Sequence, residues 1–89
     1  MNSAIDLCLA RRLKRRRREL GLSQQELGQS IGVGFRQVQN YECAKTKLSA
    51  ATVWRLIEVL EVDLSYFYGA LDRIPRTHGM EVARQSAST

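Results

Sequence analysis

The stretch Ser23–Glu42, SQQELGQSIGVGFRQVQNYE, decides the fold. Ser23-Gln24-Gln25-Glu26 has the S-x-x-E pattern of a capping box, in which side chain and backbone at a helix start satisfy each other's polar groups. The helix it opens runs to Ile31 and stops at Gly32. A second short helix is predicted from about Phe35 to Cys43, with Val38 and Tyr41 at an i, i+3 spacing that turns both toward a core. Gly34 is its expected N-cap, acceptable there but without a side-chain acceptor. Only Gly32-Val33-Gly34 joins the two helices, so they must cross steeply. Val33 is expected between them, and Gly28 stands where they come closest.

Working outward, the helical period recurs and strand-like alternation is absent. A first helix is predicted from about Ile5 to Leu20, with Ile5, Leu9, Leu13 and Leu20 on one stripe and Gly21 as its stop. A fourth follows Ser49 and turns Val53, Leu56, Ile57 and Leu60 inward; Trp54, on its flank, reads as a partly buried core residue. A short fifth follows Asp63, burying Leu64 and Phe67, with Tyr68 and Leu71 beside them. The expectation is an all-α, compact five-helix domain over residues 5–71, followed by a flexible C-terminal tail, 72–89. Its second and third helices form a helix-turn-helix.

Composition excludes several functions. A chain of 89 residues with 44% apolar and 26% charged residues makes one small globular domain. No apolar run reaches the roughly 18 residues of a membrane span, and the apolar stretch Ile5–Ala10 precedes a basic block rather than following one, unlike a signal peptide. Cys8 and Cys43 fit no paired metal-ligand spacing, and His78 is the single histidine, so a four-ligand zinc site could only be both thiols, that histidine and a carboxylate, and no catalytic triad can be assembled. No phosphate-binding glycine loop is present. The reading is therefore no enzyme, no cofactor and no metal, with Cys8 and Cys43 as buried, inert, reduced thiols of a cytoplasmic protein.

Charge is distributed unevenly. The net charge is +5, yet residues 11–18 alone hold Arg11, Arg12, Lys14, Arg15, Arg16, Arg17 and Arg18. Residues 49–72 instead hold Arg55 against Glu58, Glu61, Asp63 and Asp72. Such polarity fits one face for a polyanion and another turned elsewhere.

Residues 13–68, LKRRRRELGLSQQELGQSIGVGFRQVQNYECAKTKLSAATVWRLIEVLEVDLSYFY, resemble the phage Cro/repressor-type, or xenobiotic-response-element-type, helix-turn-helix regulators. The resemblance rests on LGLSQQEL, then IGV, then V-x-x-Y-E, then T-x-x-x-L-x-x-x-L-x-V-x-L in that order. It implies a lambda-repressor-like fold and a DNA-binding transcriptional regulator, usually a dimeric repressor. Two positions depart from the family pattern: Gly28 stands for a common alanine and Glu61 for a common glycine. Glycine inside a helix costs roughly 0.5–1 kcal/mol against alanine, and a left-handed cap suits glycine better than glutamate.

The third helix is then the recognition helix, laid in the major groove of double-stranded DNA. With Val38 and Tyr41 inward, Phe35, Arg36, Gln39 and Asn40 stay outward, and the family's base-contacting positions fall on these residues. Arg36 suits guanine O6/N7, Gln39 or Asn40 suits adenine N6/N7, and Phe35 suits a thymine methyl. The resemblance assigns backbone contacts to Gln24, to Gly34 at the helix start, and to Lys45, Thr46 and Lys47 in the following loop. Arg17 falls on the buried stripe of the first helix and so needs a partner; the family's acidic partner matches Glu42, giving a structural ion pair. Arg11, Lys14, Arg15 and Arg18 share the face opposite the core.

A single small recognition helix reads few bases, so a homodimer on half-sites about 34 Å apart is expected. Tyr66, Tyr68, Trp54 and the tail are candidate contacts. The alternative is an antitoxin that binds a small protein partner through its tail and controls its own promoter.

Overall fold

The computed structural model describes residues 3–69, and these form five helices with no strand among them. They are α1 (Ala4–Glu19), α2 (Gln24–Ile31), α3 (Phe35–Glu42), α4 (Ala50–Leu60) and α5 (Leu64–Tyr68). The predicted tail with His78, and Leu71 at the end of the predicted domain, lie outside the described residues.

Each start has a local cause. Asp6 N donates to Ser3 Oγ at 3.1 Å while Ser3 N donates to Asp6 Oδ2 at 3.4 Å, a capping box that starts α1 at Ala4 rather than Ile5. Glu26 N donates to Ser23 Oγ at 3.0 Å and Ser23 N to Glu26 Oε1 at 2.9 Å, which starts α2. Thr52 N donates to Ser49 Oγ at 3.1 Å at the head of α4. The stops are equally local: Gly21 and Gly32 take positive φ of 73° and 80°, ending α1 and α2.

The core gathers Leu9 and Leu13 of α1, Leu27 and Ile31 of α2, Val38 and Tyr41 of α3, Val53, Leu56 and Leu60 of α4, and Phe67 of α5. Leu13, Leu27, Leu56 and Leu60 are fully buried, and each such side chain contributes roughly 1.5–3 kcal/mol. Five apolar positions differ from the sequence reading. Ile5 and Leu20 are exposed, because they lie at the two ends of α1, beyond the helices it packs on. Leu64, at the first position of the five-residue α5, is 53% exposed, and Trp54 is 63% exposed on the outer side of α4. Val33 packs against the core but is only half-buried. The thiols differ as well: Cys43 caps α3 and is exposed, while Cys8 is half-buried.

Gly28 has a reason beyond helix propensity. A Cβ built there would lie 2.6 Å from the Val33 carbonyl oxygen, inside any real carbon–oxygen contact. The Val33 amide donates back to the Gly28 carbonyl at 2.8 Å. Absence of a side chain thus lets the turn close onto α2, offsetting the helical cost of the glycine.

Two further bonds tie α1 to the far end of the domain. Arg16 Nε donates to the Leu60 carbonyl at 2.9 Å, satisfying the last residue of α4 with a cation at its negative end. Tyr66 Oη donates to the Arg12 carbonyl at 2.8 Å, with the Arg12 guanidinium 5.3 Å from the centre of the Tyr66 ring.

Candidate nucleic-acid interface

The first turn of α3 is held by backbone alone. Gly34 offers no side-chain cap, and its carbonyl accepts from Gln37 N and Val38 N at 3.1 and 3.3 Å. The amides of Phe35 and Arg36 precede the first intrahelical bond and stay open to an outside acceptor. Val38 and Tyr41 sink into the core, which turns the other side of α3 out. Phe35 is 49% exposed, Arg36 and Gln39 are exposed, and Asn40 is half-buried at the edge of that face. No described residue hydrogen-bonds the side chains of Arg36, Gln39 or Asn40. Phe35 does not fold back over the core.

The end of α3 sets the loop after it. Ala44, with φ 59°, turns the chain left-handed, and Lys45 N and Thr46 N donate to the Asn40 carbonyl at 2.9 and 3.4 Å. Lys45 and Lys47 are exposed on this turn, with Thr46 half-buried between them. Their ammonium groups are mobile point charges suited to phosphates, which position a duplex without reading it.

The start of α2 presents a second such position. The capping box occupies the Glu26 and Ser23 amides, so those of Gln24 and Gln25 remain free. Hydrogen bonds from the Ser23 backbone and then its side chain hold the Glu26 carboxyl below its ordinary pKa. The free amides and the positive end of the α2 dipole suit an anion.

One carboxylate joins these parts. Glu42 Oε2 accepts from Arg17 Nε at 2.6 Å, and Glu42 Oε1 accepts from Arg17 Nη2 and Gln24 Nε2, both at 3.1 Å. Arg17 Nη1 donates to the Leu22 carbonyl at 2.7 Å. Glu42 is 3% exposed and Arg17 11%, so the acidic charge nearest the reading face is neutralised inside the protein and does not repel a polyanion. Gln24, read from the sequence as a backbone contact, is thus also held by Glu42.

The arginine run divides by structure. Arg12, Arg16 and Arg17 are engaged at Tyr66, Leu60 and Glu42. The roles of Arg12 and Arg16 were not legible in the sequence, because their partners lie 54 and 44 positions away. Arg11, Lys14, Arg15 and Arg18 face outward.

Two short helices crossed by a tight turn, the second with an unbonded polar outer face and a cationic loop behind it, define a helix-turn-helix nucleic-acid-binding domain. Comparison with known proteins agrees. Residues 13–67 match the helix-turn-helix family. An uncharacterized helix-turn-helix-type transcriptional regulator of Sinorhizobium fredii, y4aM, is 41% identical over 66 residues, covering 74% of this chain and 46% of its own. One from Rhizobium meliloti is 36% identical over 64 residues, 72% of this chain and 46% of its own. An uncharacterized transcriptional regulator in the ATPase CF(0) region of Rhodospirillum rubrum is 35% identical over 77 residues, 85% of this chain and 71% of its own. The chain spans about half the length of the two rhizobial relatives. No solved structure matches it. The chain belongs to the Cro/repressor-type helix-turn-helix family of DNA-binding domains, and the relatives above are named as transcriptional regulators. No helix among the described residues is long and apolar enough to cross a membrane.

Proposed function

We propose that the chain is a cytoplasmic, sequence-specific repressor that binds an inverted-repeat operator as a homodimer and occludes transcription. The observation that carries this reading is the outer face of α3. Arg36 and Gln39 are exposed and unbonded on a helix whose opposite side is locked by Val38 and Tyr41. Arg36 would pair with guanine, Gln39 or Asn40 with adenine, and Phe35 would meet a thymine methyl. Gln24, Gly34, Lys45, Thr46 and Lys47 would hold phosphates on either side and fix register.

Exposed Trp54 and Leu64, on neighbouring α4 and α5, support self-association.

The test is selection of bound duplexes from a randomised pool at about 0.15 M salt, where exposed charges are already strongly screened. The expected result is enrichment of an inverted repeat with half-site centres about 10–10.5 base pairs apart or a multiple of it. Enrichment of a single half-site would remove the dimer, and no enrichment would remove sequence reading altogether.

A further inference from the structure

We propose that the outward strip of α1 formed by Arg11, Lys14, Arg15 and Arg18 holds the phosphate backbone of a second segment of duplex DNA, distinct from the segment read by α3. Three observations carry this. First, the strip does no structural work. Of the seven cations in residues 11–18, Arg12, Arg16 and Arg17 make the contacts that bind α1 to the rest of the domain. The side chains of Arg11, Lys14 and Arg18 bond to no described residue, and that of Arg15 meets only Glu19, on the surface, at 3.4 Å.

Second, the strip is self-repelling. Arg11 and Arg15, and likewise Lys14 and Arg18, are four residues apart; Arg11 and Lys14, and Arg15 and Arg18, are three apart. Like charges at these spacings destabilise a helix, and a polyanion laid along them relieves the repulsion. The four side chains, with Glu19, lie side by side on one open face of α1. From Arg11 to Arg18 α1 rises about 10 Å, and the four long side chains fan out from it, each able to meet one phosphate of an adjacent duplex.

Third, the strip and the reading face point apart. Leu9 and Leu13 of α1 and Val38 and Tyr41 of α3 enter the same core. The strip lies on the side of α1 away from that core, and Phe35, Arg36 and Gln39 on the side of α3 away from it. On this arrangement a straight duplex seated on α3 is expected to leave the strip free for a second segment. The exposed acidic residues Glu58, Glu61 and Asp63 lie on α4 and the α4–α5 turn, and within the strip the Glu19 carboxylate offsets one of the four cations, Arg15. Duplex DNA as occupant rests on the family assignment and on charge complementarity, not on any particular operator.

The test uses the full chain, a bead-bound duplex carrying the selected operator, and a free fluorescent duplex of unrelated sequence. Protein-loaded beads should capture the free duplex, with capture falling about 100-fold between 50 and 200 mM salt, as four phosphate contacts require. Arg11→Gln/Lys14→Gln/Arg15→Gln/Arg18→Gln should keep its helical circular dichroism and operator preference yet lose that capture. The milder Lys14→Gln/Arg18→Gln should lose part of it. Undiminished capture by the fourfold variant would assign bridging to the two reading helices of a dimer and overturn the proposal. A fourfold variant that instead loses affinity for a single short operator, with a shallower salt slope, would place the strip on the duplex already read, and overturn it too. If the wild type captures duplex without any operator preference, the strip stands and the repressor reading fails.

Discussion

Arg17 on α1 and Glu42 on the last turn of α3 face each other at 2.6 Å, with both side chains withdrawn from water. Glu42 also accepts from Gln24, so one carboxylate fixes the α1, α2 and α3 ends that frame the reading surface. Removing one partner of such a pair leaves a buried charge without compensation, at about 3–5 kcal/mol. Glu42→Ala is therefore expected to lower Tm by roughly 12–24 °C, taking about 3 kcal/mol and the sensitivity of a domain this size, and to weaken DNA binding. Glu42→Gln, which retains acceptors for Arg17, should fall between the two. An unchanged Tm by calorimetry would mean that the pair contributes nothing.

Glu61 takes φ 55° and ψ 51° after α4, and the Val62 amide closes onto the Ile57 carbonyl at 3.2 Å. A side chain in this left-handed conformation costs roughly 1–2 kcal/mol, part of which glycine returns through its freer unfolded chain. Glu61→Gly is expected to stabilise by about 0.5–1 kcal/mol, a rise in Tm of roughly 2–8 °C, with operator affinity unchanged. A lower Tm would show that the Glu61 side chain makes a contribution larger than its backbone strain.

Burial first, and then the nearby Glu19 carboxylate, raise the Tyr66 phenol above its ordinary value of 10.0. A group whose folded pKa is raised contributes stability in full below its unfolded pKa, and that contribution is lost as pH rises through the folded value. Thermal stability should therefore decline above pH 10, and Tyr66→Phe should remove part of that decline. The same substitution deletes the bond to the Arg12 carbonyl and is expected to cost about 1 kcal/mol at neutral pH. Identical alkaline profiles for the two proteins would separate Tyr66 from this behaviour.

Arg36→Ala should relax one symmetric pair of operator positions by about 1–3 kcal/mol of discrimination. Lys45→Ala and Lys47→Ala should instead weaken all sequences alike and reduce the salt slope by roughly 0.9 each. None of the three should move Tm, because each side chain is exposed and unbonded to described residues. Specificity change from a lysine, or uniform loss from Arg36→Ala, would reverse the assigned roles.

The helices were legible because their causes are local: the Ser23/Glu26 box, the Ser49 cap and the glycines at 21 and 32 act within a few residues. The α3 face followed from periodicity, since the inward Val38 and Tyr41 leave the remaining side chains outward. The roles of Arg12 and Arg16 were hidden, because both meet partners brought near only by the fold. Trp54 and Leu64 were misread for a different reason. Apolar character favours burial, but a domain this small has too little interior for every large apolar side chain. Gly28 was legible as the point of closest approach, and the structure names the group that approaches, the Val33 carbonyl.

Among the described residues, α3 is anchored by Val38, Tyr41, Glu42 and its own backbone, while Phe35, Arg36 and Gln39 are left out of the anchoring. Substitutions at those outward positions can therefore drift at little thermodynamic cost. Paralogues arising by duplication could acquire new target sites one side chain at a time, each intermediate still folding, so regulatory circuits built from this domain can diverge faster than the domain itself.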